Sequence, residues 1–119
     1  MSQGISLYLA IVIMAILLAI VLGISTILVS QIKMIKGMEN SVVAFYAADT
    51  GIEEVLNLNK ADPVNPLPSP CPEANPCQLD NEARYYVEVI PAVDCGAVYY
   101  CLKSVGTYKN VSRAIEITY

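Results

Sequence analysis

From Ile5 to Val29 the chain carries no charged residue and no proline, and this one stretch limits what the remainder can be. Its only departures from aliphatic character are Ser6, Tyr8, Gly23, Ser25 and Thr26. About 25 such residues, rising 1.5 Å each as a helix, exceed the roughly 20 needed to cross a bilayer. A helix apolar on every side is either a core helix or a membrane span. A chain of 119 residues leaves too little behind to bury it, so the stretch reads as a transmembrane helix. A cleaved secretory signal would have a charged start and a shorter apolar core ending at a small-residue cleavage site. This stretch is longer, and it runs on into further helix.

After Ser30 and Gln31 charges begin, yet only Gly37 and Gly51 interrupt the helical pattern before Asn57, and neither forbids a helix at about 1 kcal/mol each. Ile35, Met38, Val42, Phe45, Ile52 and Leu56 recur at steps of three and four, with Asp49 holding the one polar place in the stripe. Lys33, Lys36, Glu39, Asn40, Thr50, Glu54 and Asn57 fall mostly on other faces. The second half therefore reads as an amphipathic helix, with Phe45, Ile52 and Leu56 as the residues that pack on a head domain. The two halves together predict a rod of roughly 80 Å from about 53 residues.

About 60 residues remain for one head, near the size at which a hydrophobic core alone is marginal. Cys71, Cys77, Cys95 and Cys101 all lie there, and an even count beside a membrane segment fits disulfides in an oxidising compartment. Zinc fits poorly, because C-x5-C twice does not match the usual C-x2-4-C pairs. Lys33 and Lys36, just beyond the apolar run, would place the head in the cytoplasm by the positive-inside rule, and the cysteines place it outside. The cysteines weigh more than two lysines. A net charge of −4 and the absence of any Lys or Arg cluster argue against nucleic-acid binding by simple electrostatics.

Between Ala61 and Pro76 six prolines fix φ and remove backbone donors, which predicts a loop that a Cys71–Cys77 ring would tie down. The period then becomes two: Tyr85, Val87 and Val89; Val98, Tyr100 and Leu102; Val111, Ile115 and Ile117. The connectors Ala92 to Gly96 and Gly106 to Asn110 are short enough for antiparallel hairpins. The expected fold is α+β: a long N-terminal helix, transmembrane then amphipathic, with a small antiparallel three-stranded sheet packed on its second half. Its segments are residues 1–4 ahead of the helix, 5–29 across the membrane, 30–58 amphipathic and 59–119 the head. Cys95 and Cys101 bracket the first hairpin, so pairing of nearest neighbours, 71 with 77 and 95 with 101, is preferred. Spacing leaves the other two connectivities open.

Gly4 followed by Ile5-Ser-Leu-Tyr-Leu-Ala-Ile-Val-Ile-Met14, then Ala44-Phe-Tyr-Ala-Ala-Asp-Thr-Gly-Ile-Glu53, then Ser104-Val-Gly-Thr-Tyr108 and Arg113-Ala-Ile-Glu-Ile-Thr-Tyr119, resembles the type IV pilin family. That family comprises pilins and the pseudopilins of type II secretion, and the wording is most similar to PilX-like minor pilins. The resemblance spans most of the chain. It implies a single-pass precursor in the inner or cytoplasmic membrane with an extracytoplasmic head. Prepilin peptidase would cut after Gly4, a leader 1–4 would be lost, and Ile5 would become the methylated mature N-terminus. Assembly machinery would then extract the subunit from lipid and pack it with other pilin subunits into an extracellular filament. Leu9, Met14 and Gly23 would lie at filament-packing positions. Leu9 stands where the family usually has Glu, and this implies a minor or tip subunit.

Catalysis has little basis here, since the chain has no histidine, no glycine-rich phosphate loop and no recognisable carboxylate pair; no cofactor is implied. Asp62, Glu73, Asp80, Glu82 and Asp94 lack EF-hand spacing and read as solvated loop carboxylates. Asn110-Val-Ser112 fits a glycosylation triplet, and eight tyrosines are explained equally by a contact surface or by sheet propensity. The competing function is a membrane-tethered extracytoplasmic binding module that never polymerises.

Overall fold

The structure, a computed structural model, describes residues 2–119; of the expected leader 1–4, Met1 lies outside the described residues. The chain divides into two compact units between Lys36 and Gly37. Helix α1, Ser2–Asn59, supplies all of the first unit's described residues and the opening of the second. Among the described residues of the first unit nothing packs on the helix. Its large apolar side chains from Ile5 to Val29, apart from Val12, are between 49% and 73% exposed.

In the second unit a four-stranded antiparallel meander packs on α1: β1 (Cys77–Gln78), β2 (Arg84–Pro91), β3 (Tyr100–Tyr108) and β4 (Val111–Thr118), in that spatial order. The fold is α+β, with four strands where the alternation predicts three. Two residues of β1 are too few to show a period; they become a strand because Cys77 and Gln78 pair with Tyr85 and Arg84. The connector after β2 holds a single helical turn, α2 (Ala92–Cys95).

The pleat of each strand sends alternate residues to the helix. Tyr85 and Val87 of β2, Tyr100, Leu102, Ser104 and Gly106 of β3, and, half-buried, Ile115 and Ile117 of β4 form the inner face. Against them α1 buries Ala44, Ala47, Ala48, Gly51, Ile52 and Val55. This face is turned roughly 100°, about one residue's step, from the stripe of larger apolar residues read in the sequence. Phe45 is 50% exposed and Val42 52%, so the expected packing role of Phe45 is corrected; Ile52 is buried and Leu56 half-buried against the core.

Small residues win the contact because they let the backbones approach. A Cβ on Gly106 would overlap the Ala44 carbonyl oxygen and lie 2.6 Å from the Ala48 nitrogen. Gly106 therefore belongs inside β3, not in the connector its identity suggests, and the turn contracts to Lys109–Asn110. Gly51 faces the same strands: a Cβ there would come within 2.7 Å of Ser104 Oγ and Val87 Cγ2.

Candidate functional site

Gly4 and Ile5 lie within the first turns of α1, where a Cβ at Gly4 would meet nothing within 4 Å and Ile5 is 70% exposed. Leu9 and Met14 are exposed, and Gly23 is open to any approaching group. These positions, offered for processing and packing, thus share one property within the first unit: the fold of this chain uses none of them. The helix is long and apolar enough to cross a membrane by length and composition.

In the second unit the helix edge beside β4 is also open. Ser41, Val42, Phe45, Tyr46 and Arg113 line a shallow groove of about 370 Å³. Arg113 reaches across from β4, its Nε donating to Ser41 Oγ at 2.6 Å. The groove is apolar on the helix side because the head is built on the neighbouring small-residue face, leaving Phe45 and Tyr46 to solvent.

The head is closed by two disulfides, Cys71–Cys77 and Cys95–Cys101, with Cα separations of 5.3 and 6.3 Å. The first is part of the sheet's edge. Cys77 pairs with Tyr85, and the carbonyl of buried Cys71 accepts the Val87 N–H at 2.8 Å, so the bridge fixes two partners of β2 at once. The second ties α2 to the outer face of β3, where Cys101 is fully buried.

Two polar residues hold the head together: Asn59, and Glu54, which the helical pattern sets off the packing stripe. Asn59, the last residue of α1, is buried; its Oδ1 accepts the Leu67 N–H at 2.7 Å and so anchors the proline-rich loop to the helix end. Glu54 accepts a 2.6 Å hydrogen bond from the Tyr85 hydroxyl. Burial, with the Glu54 carboxylate beside it, pushes the Tyr85 phenol up to about 12. The spacing Ala44, Ala47, Ala48, Gly51 signals this face, although the larger side chains nearby carry the more apolar stripe.

Asp62 accepts N–H groups of Val64 and Asn65 through Oδ1, as expected of a loop carboxylate that shapes its own turn. Within the glycosylation triplet, Ser112 Oγ shares a hydrogen bond with Thr107 Oγ1 at 3.0 Å, next to the tight turn that holds Asn110. Compared with protein-family models, curated proteins and solved structures, the chain matches none.

Proposed function

We propose that this chain is a structural subunit of a type IV pilus or a related pseudopilus, minor in abundance and placed at or near a filament tip. One observation carries the reading: the apolar first half of α1 is exposed along its length and has no use within the chain's own fold. Such a surface requires lipid or other helices around it, and a filament precursor meets both in turn. The open groove at Val42, Phe45 and Tyr46 supports the same reading, because a simple tether needs no apolar helix face on its head. The paired cysteines support an extracytoplasmic head despite Lys33 and Lys36. The role is one of assembly, without catalysis.

In this reading the chain is cut after Gly4, and Ile5 becomes the N-terminus. Mass spectrometry of membrane or filament material should find the processed form, and Gly4→Leu should abolish it. An intact N-terminus in every fraction would instead favour the tethered binding module.

A further inference from the structure

We propose that the outer face of the head, at the β3–β4 turn, carries a binding site for an acidic saccharide, independent of the filament reading. The strand register sets one polar residue of each strand side by side. Gln78 of β1 lies opposite Arg84 of β2, Arg84 opposite Thr107 of β3, and Thr107 opposite Ser112 of β4. This row faces away from α1, since its neighbours Tyr85 and Gly106 are the ones turned to the core. Gln78, Arg84 and Thr107 of this row line a concavity of about 470 Å³ together with Glu82, Tyr108 and Lys109. That volume is the size of a small-ligand site.

Charge and backbone both set this place apart. In a chain of net charge −4, two of the seven basic residues converge here with a single carboxylate, Glu82. Among the described residues the Arg84 guanidinium has no hydrogen-bond or ion-pair partner, so its planar fork is free for bidentate capture of a carboxylate or phosphate. The Lys109 ammonium sits over the Tyr108 ring at 5.2 Å, and this cation–π contact holds the charge at the rim. Along the strands the next charged row, Glu88, Lys103 and Glu116, is about 13 Å away and beyond effective range at physiological salt, while Asp80 of the β1–β2 connector is the nearest further carboxylate in sequence. Glu82 and Lys109 are also the two non-glycine residues with positive φ among those described, at 68° and 51°. Both lie on this rim, and local backbone strain of this kind clusters at ligand sites. The Gln78 amide and Thr107 hydroxyl add neutral donors and acceptors, matching sugar hydroxyls around one anionic group.

The test is titration of the full chain in neutral detergent micelles with glucuronate, glucose and inorganic phosphate, followed by amide chemical shifts. Glucuronate should give saturable shifts confined to residues 78–84 and 107–112, with phosphate weaker and glucose silent. Arg84→Gln should weaken glucuronate binding about tenfold, as expected for loss of a charge-assisted bond. Glu82→Gln should tighten it several-fold by removing the one like charge, an effect that a merely structural role would not produce. Binding of glucose as tight as that of glucuronate, phosphate as tight as both, or shifts unaltered by either variant in a folded head would overturn the proposal.

Discussion

Gly106 sets the distance between helix and sheet, because the atoms that would meet its Cβ belong to the backbone of α1 and cannot rotate aside. Gly106→Ala should therefore lower the stability of the head by about 3 kcal/mol or more, the upper end of overpacking costs. Its neighbour on the inner face makes the contrasting case. The Ser104 hydroxyl is fully buried without a hydrogen-bond partner among the described residues, so Ser104→Ala should leave stability unchanged or raise it by up to about 1 kcal/mol. Denaturant melts of the two variants beside the parent check both signs. The Tyr85–Glu54 bond adds a pH dependence. The phenol's pKa is higher folded than unfolded, so the neutral form is favoured by the fold; the contribution is complete below pH 10 and is lost as pH rises towards about 12. Tyr85→Phe should be less stable than the parent at neutral pH by about 1.5–3 kcal/mol and should lack that alkaline loss.

At the scale of elements, the head depends on three short ties that hold irregular chain against a small sheet. The Cys71–Cys77 ring fixes the edge of β2, Cys95–Cys101 holds α2 on the outer face, and Asn59 pins the loop that follows α1. Replacing Cys71 and Cys77 together by Ser should cost about 2–4 kcal/mol, since so small a core has little stability in reserve. Hydrogen exchange should then rise first at Val87, whose N–H partner is the Cys71 carbonyl. Uniform loss of protection across the sheet, without an early signal at Val87, would show that the bridge acts only on the unfolded chain. Asn59→Ala should release Leu67 and speed exchange there while the sheet keeps its protection.

For the whole molecule the decisive quantity is stoichiometry. In the filament reading, a Glu at the position of Leu9 would pair with a neighbour's N-terminal amine in an apolar core, and Leu9 cannot make that pair. A shaft of this chain alone would repeat a buried, unpaired amine in every copy. Purified filaments should therefore contain it as a minor component beside another, dominant pilin. Filaments made mainly of this chain would overturn the tip placement and require apolar packing at Leu9 to stabilise the shaft by itself.

What the sequence by itself determined are the features fixed by local pattern. The uncharged run Ile5–Val29 dictates a helix with nowhere to bury its surface, the cysteine count fits a covalently closed head, and the alternation around Val87, Leu102 and Ile115 dictates strands. Each follows from periodicity or composition, which neighbours in the chain already display. Tertiary structure alone decided which face of α1 meets the sheet, whether Gly106 turns or continues a strand, and that Cys77–Gln78 is a strand at all. In the first of these choices hydrophobicity pointed to Phe45 and Val42, and close backbone approach selected Ala44, Ala48 and Gly51 instead. The same holds for the row from Gln78 to Ser112, whose members are up to 34 residues apart in the chain and become neighbours only through strand register. Packing distance and register are properties of pairs of elements, so no single stretch of sequence carries them.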